Sequence, residues 1–318
     1  MLDLKNSLPL KFPLGLAVDP SNLCNFECKF CPTGFRGDIK KQRENGQMSL
    51  DLFSKIINDL IQWDAVVDNL KLWKDGEPFA NKNIIQMIKI ARESKRFNRI
   101  TITTNGALLD RFSEDLISFP PDKIIVSILS MRGSDYALHS RNANNLDKVI
   151  KNISYLYKLK KNKNDLPLIY PKLCIFEGMT TEDENNFKNT FSKISDGLIY
   201  TKPFNWDDSH DKDLKLGSVN KATVPLKVCP YPHYTMNINF NGLVSICCVD
   251  WSHNVIIGDI TKESLREIWN GKALKQIRED WRTGNIVNHK ICGKCNFFKA
   301  LPNASNIDDY VLKTKSPL

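Results

Sequence analysis

Along the first two thirds of the chain, short apolar runs alternate with stretches whose apolar residues recur three and four positions apart. Residues 14–19 (Leu-Gly-Leu-Ala-Val-Asp) form a run suited to a buried strand, closed by Asp19-Pro20-Ser21-Asn22. The pattern then predicts a helix over 49–63, with Leu52, Phe53, Ile56, Ile57, Leu60 and Ile61 on one face. Strands are predicted at 66–73, 99–104, 123–129, 172–176 and 197–202, and helices at 84–93, 108–119, 146–159 and 182–194. Six strands alternating with helices predict an α/β fold with a parallel sheet, and six are too few to close an eight-stranded barrel. The expected architecture is therefore a partial (β/α)6 barrel. In such folds chemistry gathers at the C-terminal ends of the strands, so the loop after the first strand and Asp75-Gly76-Glu77-Pro78 after the second share one rim.

The texture changes after the sixth strand. Residues 203–226 are polar and read as a linker, although the segment 204–210 (Phe-Asn-Trp-Asp-Asp-Ser-His) also falls on the rim where a polar substrate would sit. Two short apolar runs, 235–240 and 243–247, flank Asn241-Gly242 and predict a hairpin. A helix follows over 265–282, and Cys292-Gly-Lys-Cys295 ends the module. No internal repeat is present.

Composition narrows the class. Of the 318 residues 42% are apolar and 25% charged, with 15 Gly and 15 Pro, which excludes collagen-like and low-complexity chains. No uncharged apolar run approaches the length of a membrane span, and charges at Asp3, Lys5 and Lys11 interrupt any signal-like segment, so the expected location is the cytoplasm. The net charge of +9 is spread along the chain. Its densest run, 158–163, follows an amphipathic stretch and reads as the solvated end of a helix rather than a phosphate-binding patch.

The nine cysteines change the picture most. In a reducing compartment clustered thiols point to metal rather than to disulfides. Cys24, Cys28 and Cys31 lie in the loop after the first strand; Cys229, Cys247, Cys248, Cys292 and Cys295 lie near the end, and Cys174 stands alone as a small buried apolar residue of a strand. Three thiolates leave one metal position open, whereas four complete the shell of a cluster or a structural zinc. Zinc at the first set needs a fourth ligand that the loop does not offer. Cys247 and Cys248 are adjacent, so strand alternation turns them to opposite sides.

The spacing Cys24-x3-Cys28-x2-Cys31, with Phe30 before the last cysteine and βα units following, resembles the signature of the radical S-adenosylmethionine (SAM) superfamily. The resemblance implies a [4Fe-4S] cluster held by Cys24, Cys28 and Cys31, with SAM on its open iron. Asp75-Gly76-Glu77-Pro78 looks like the family's Gly-Gly-Glu-type segment, with Asp75 in place of the first glycine. Phe30, Asn105, Ser127 and Arg141 fall where the family contacts SAM, together with Asp75, Gly76, Glu77 and Pro78. The C-terminal cysteines resemble the SPASM/twitch extension, which implies an auxiliary [4Fe-4S] cluster on Cys229, Cys247, Cys292 and Cys295. Of the adjacent pair, the resemblance selects Cys247 as the ligand. The implied organisation is an N-terminal extension (1–13), a radical SAM partial barrel (14–204), a linker (205–228), an auxiliary-cluster domain of β-hairpin plus helix (229–305) and a tail (306–318).

The nearest type is the aminocyclitol (2-deoxy-scyllo-inosamine) dehydrogenase. The implied activity is a radical SAM oxidoreductase that takes hydrogen from a polar small molecule, a sugar or aminocyclitol, with the auxiliary cluster accepting the second electron. Peptide maturation and epimerisation are the alternative reactions. An iron–sulfur or zinc scaffold that binds RNA is the non-enzymatic one. The expected partner is a flavodoxin- or ferredoxin-type electron donor, with neither membrane nor nucleic acid involved. Trp206, Tyr136, His139 and Glu177 are the rim candidates for substrate contact. No residue presents itself as a catalytic acid or base.

Overall fold

The computed structural model describes residues 4–33, 43–140, 145–161, 165–201, 226–295, 297–301 and 305–313. Its strands are β1 (Gly15–Val18), β2 (Val67–Leu72), β3 (Phe97–Thr104), β4 (Lys123–Ile128), β5 (Leu168–Cys174), β6 (Ile199–Thr201), β7 (Thr235–Ile238), β8 (Leu243–Ser245) and β9 (Ile256–Asp259). The α-helices are α1 (Leu4–Ser7), α2 (Leu50–Gln62), α3 (Ile84–Ser94), α4 (Ser113–Ser118), α5 (Gly133–Ser140), α6 (Leu146–Lys161), α7 (Thr181–Phe191), α8 (Tyr231–Tyr234), α9 (Leu265–Trp269), α10 (Lys272–Thr283) and α11 (Asp308–Lys313). All nine strands join one sheet in the order β6-β5-β4-β3-β2-β1-β7-β8-β9. From β6 to β7 the neighbours are parallel, and β8 and β9 continue antiparallel. This is the open α/β arrangement expected of a partial barrel.

Alternate strand residues pack under the helices. Leu16, Val18, Leu70, Leu72, Ile100, Ile102, Ile124, Val126, Ile169, Leu173, Met236 and Ile238 are fully buried there. Helix α2 starts at Ser49, whose side chain accepts from Leu52 N, and buries Phe53, Ile56, Ile57 and Leu60. Its Asp59 carboxylate accepts from Leu265 N at 3.0 Å, which fastens α9 to the first βα unit.

Several elements depart from expectation for identifiable reasons. The helix expected over 108–119 is a 3-10 turn, Leu109–Arg111, followed by α4. The helix expected over 265–282 breaks at Asn270-Gly271, where Gly271 caps α10 in extended conformation. Strand β5 begins earlier than predicted and contains Pro171, which precedes the stretch paired to β6. Helix α5 was not anticipated, because only Tyr136 and Ser140 of its residues are buried. Lys160, expected on a solvated helix end, is 6% exposed and pairs with Asp196 at 2.5 Å. At the linker's end Leu226 and Val228 are buried, and Asp308 of α11 accepts from the Lys227 and Val228 amides.

One pairing organises the rest. β7, the first strand of the expected hairpin, pairs in parallel with β1, Gly15 opposite Thr235 and Ala17 opposite Asn237. The C-terminal module thus continues the barrel sheet at the strand that leads into the first cysteine loop.

Candidate functional site

The chain leaves β1 through Asp19 into a loop shaped by hydrogen bonds from outside. Asn81 Nδ2 donates to Pro20 O (2.8 Å) and Met48 O (3.0 Å), and Glu77 N donates to Leu23 O (2.8 Å). The second half hangs on the end of α5, where Glu27 N donates to Ser140 O and Lys29 N to His139 O, each at 3.0 Å. Phe26 packs edge-on against Tyr136, while Phe30 and the His139 ring both lie on Phe176, the latter stacked at 4.1 Å. Cys24 Sγ accepts from Phe26 N at 3.4 Å and from Asn105 Nδ2 at 3.8 Å.

Burial pushes the Cys24 thiol up to about 12, with Glu77 and Cys31 adding to it. Cys28 is raised well above the ordinary thiol range by burial, then by Cys31, Cys24 and Cys174. Thiols packed so close ionise together only beside a compensating positive centre. Among the described residues no three His, Cys, Asp or Glu side chains are arranged around a single metal ion. Three thiols on one loop are donors of the kind an iron–sulfur cluster takes, each thiolate on a different iron. The donor set of this loop fits such a group.

Asp75-Gly76-Glu77-Pro78 closes over the loop. A Cβ on Gly76 would stand 2.2 Å from Ser21 O and 2.5 Å from Leu23 O, so only glycine allows this approach. Glu77, 2% exposed, accepts from Thr104 Oγ1 (2.6 Å), Phe79 N (3.2 Å) and Asn105 N (2.8 Å). Burial raises its carboxyl to about 7 against those hydrogen bonds. The Asp75 side chain is engaged within the protein: its Oδ2 accepts from Arg43 Nη1 (2.6 Å) and Lys74 Nζ (2.7 Å) and bonds His253 Nε2 (2.9 Å). Burial opposes its ionisation, but Lys74, His253 and Arg43 together hold it well below the usual carboxylate range. Arg43 lies over the Trp251 ring at 3.8 Å, and Trp251 Nε1 donates to Thr33 Oγ1 at 2.9 Å. Thr33 in turn donates to Asp75 O. This buried knot ties both cysteine regions together.

The second thiol set comes from three turns. Cys229 precedes α8, Cys247 and Cys248 follow β8, and Cys292 and Cys295 lie in the turn after Asn285–Asn288. That turn closes on itself, with Cys295 N donating to Cys292 O (3.3 Å) and Gly293 N to His289 O (2.9 Å). A Cβ on Gly293 would meet Val287 O at 2.4 Å. Burial and the neighbouring thiols raise Cys229 and Cys247, and they bring Cys292 to about 12. These four thiols fit an auxiliary cluster in the same way as the first set. Cys248 differs: after burial, its strongest electrostatic neighbours are Lys71 and Lys74 of the barrel.

The remaining sequence candidates differ in exposure. Pro78 is buried, Ser127 and Asn105 are half-buried, and Glu177 is exposed. Tyr136 is fully buried beneath the loop rather than on the open rim, and Cys174 lies close enough to raise both Tyr136 and Cys28. Arg141 and Trp206 lie outside the described residues. Sequence reasoning missed Arg43, Trp251 and His253. It also missed Lys71, Trp73 and Asn237, whose signal is their place off the apolar alternation of β2 and β7.

Comparison with known proteins places these features. Residues 18–175 match the model of the Radical SAM superfamily, and residues 229–296 match SPASM, an iron-sulfur cluster-binding domain. The GTP 3',8-cyclase of Clostridium acetobutylicum is 26% identical over 174 residues, 55% of this chain and 51% of that protein. That of Peptoclostridium acidaminophilum is 23% identical over 138 residues, 43% of this chain and 41% of that protein. The chain spans about half the length of the curated relatives it matches. The crystal structure of BtrN with AdoMet and 2-DOIA superposes with a TM-score of 0.57 at 17% identity, covering 96% of this chain and 97% of that one. Streptococcus suis SuiB bound to S-adenosylmethionine gives 0.69 at 16% identity, covering 99% and 77%. At such identities these likenesses establish the fold.

Proposed function

We infer, from the match of residues 18–175 to the Radical SAM superfamily and of residues 229–296 to SPASM, that the chain is a radical SAM protein whose cofactors are SAM, a [4Fe-4S] cluster and a further iron–sulfur centre. From that premise we propose that it is an oxidoreductase of the dehydrogenase type, acting on a polar small molecule related to sugars or aminocyclitols. Cys24, Cys28 and Cys31 would hold the SAM-binding cluster, and Cys229, Cys247, Cys292 and Cys295 the auxiliary one. When bound, the first cluster with SAM supplies a 5′-deoxyadenosyl radical that takes one hydrogen atom, and the auxiliary cluster supplies the acceptor for the remaining electron, so that a secondary alcohol leaves as a ketone and its hydroxyl proton goes to water.

The observation that supports this reading is the register of β7 on β1, which joins the C-terminal module to the strand leading into the first cysteine loop. The protein's own part is positional. Gly76 lets the second rim segment touch the first loop, and Glu77 ties that segment to Thr104 and Asn105. Phe30, Pro78, Asn105, Ser127 and Arg141 are the proposed SAM contacts, with Gly76, Glu77 and the backbone of Asp75. A flavodoxin- or ferredoxin-type protein is the proposed electron source. No helix is long and apolar enough to cross a membrane among the described residues.

A second reading, epimerisation, has one observation in its favour. The Cys248 thiol lines a cavity of the barrel interior, and a thiol is a source of a hydrogen atom. Anaerobic turnover in deuterium oxide with SAM, dithionite and a panel of polyols separates the two. A dehydrogenase yields a product two mass units lighter than its substrate. A product of unchanged formula carrying one solvent deuterium would contradict the dehydrogenase and establish the epimerase.

A further inference from the structure

Across β2, β1 and β7 the register sets Lys71, Ala17 and Asn237 side by side, and one step along it sets Asn69, Gly15 and Thr235. The two central residues are the small ones. With bulk on both flanks and almost none in the middle, the interior face of the sheet is hollowed into a cavity of about 40 Å³. Lys71, Trp73, Asn237 and Cys248 line it, with Thr235 and Tyr231 at its edge. That volume exceeds what one water needs and suits a single small polar group.

The lining is one-sided in its chemistry. Trp73 Nε1 and Asn237 Nδ2 are buried N–H donors with no partner among the described residues. Asn237 is 2% exposed, so solvent does not relieve it. Lys71 brings an ammonium and has no carboxylate partner among the described residues. No acidic side chain lines the cavity. Buried donors left unpaired are costly and uncommon, and two of them beside an ammonium with no carboxylate at hand describe a receptor for acceptor atoms. A protonated amine would meet the like charge of Lys71 there and no carboxylate to offset it.

We propose that this cavity is an oxyanion subsite, and that the substrate carries a carboxylate or a phosphate seated between Lys71, Trp73 Nε1 and Asn237 Nδ2. The inference rests on the radical reaction proposed above and narrows its substrate to acidic molecules, away from cationic aminocyclitols. Anchored beside Cys248, the acidic group fixes one end of the substrate next to the auxiliary thiols.

The test uses the full chain, reconstituted anaerobically, with acetate, inorganic phosphate, glucosamine and myo-inositol as probes at matched ionic strength. Binding is read by calorimetry. Wild type is expected to bind acetate or phosphate in preference to both neutral and cationic probes. Tighter acetate assigns a carboxylate substrate and tighter phosphate a phosphorylated one, and either supports the subsite. Lys71→Met is expected to weaken that anion at least ~tenfold, and Trp73→Phe, which removes one N–H without a charge, by ~threefold to tenfold. Trp73→Phe also serves if Lys71→Met fails to fold. Anion binding of equal strength in wild type and either folded variant, no anion binding, or glucosamine bound more tightly than both anions would overturn the inference. SAM cleavage by wild type under dithionite is read separately. Cleavage without an anion effect defeats the subsite alone, and absence of cleavage defeats the reading on which it rests.

Discussion

The loop of Cys24, Cys28 and Cys31 takes its shape from other parts of the chain, whereas the turns of Cys247, Cys292 and Cys295 are shaped largely by their own backbone. In the first, the fixing bonds reach from Asn81, Glu77, Asn105 and the end of α5. In the second, Gly293 and Cys295 bond within their own turn, and Asp250 accepts from Asn254 and Val255 a few residues on. A site with an open metal position needs its geometry imposed from several directions, because the fourth ligand arrives from outside. A site with four thiols, three of them on closed turns, is shaped by its own ligands. The Asp75 knot is where the two strategies meet.

The largest effect is expected where both regions depend on one group. Asp75→Ala leaves Arg43 and Lys74, both almost fully buried, without their counter-charge, and should destabilise the fold by roughly 3–5 kcal/mol in chemical denaturation. Because the folded carboxyl lies below its ordinary 3.8, this contribution is complete above that value and is lost as pH falls through the folded one. The stability gap between wild type and Asp75→Asn should therefore narrow in acid below pH 3.8. A gap that widens there would show that the knot is not held by charge.

Next comes a change confined to the first region. Gly76→Ala places a methyl 2.2 Å from a backbone oxygen and should cost about 1–3 kcal/mol, with iron lost from the first set and retained in the second. Thr104→Val removes the 2.6 Å donor to Glu77 and should cost about 1–2 kcal/mol by thermal melting. The smallest effect belongs to the second region. Ser264→Ala opens the capping box with Glu267 that starts α9 and should cost about 1 kcal/mol without changing iron content. If Ser264→Ala cost more than Gly76→Ala, the contrast between the two regions would be reversed.

The same contrast marks what could be read from sequence. Local devices were legible: the βα alternation, the Asn241-Gly242 turn, the strand-ending Asp19-Pro20, and both cysteine spacings. The helix break at Asn270-Gly271 was written in the chain but outweighed by apolar periodicity on both sides. Strand β9 was hidden because its residues, Ile256 to Asp259, are too few for a period to show. Which distant residues meet had no local signal, even where a residue's own position stood out. The pairing of β7 with β1, the reach of Arg43 and His253 to Asp75, and the convergence of Lys71, Trp73 and Asn237 join residues far apart in the chain. The Asp75 side chain, read as part of a SAM-binding segment, is engaged by Arg43 and His253 from two distant places and by its neighbour Lys74.

The central claim is that two thiol sets hold two clusters and that only the first cleaves SAM. Its most direct test is an anaerobic count of iron and sulfide per chain, followed by an assay for 5′-deoxyadenosine with dithionite and SAM. Wild type is set against the variant with Cys24, Cys28 and Cys31 changed to Ala. About eight irons falling to about four, with 5′-deoxyadenosine lost, is the predicted result. Zinc in place of iron, or cleavage that survives in the triple variant, would contradict it.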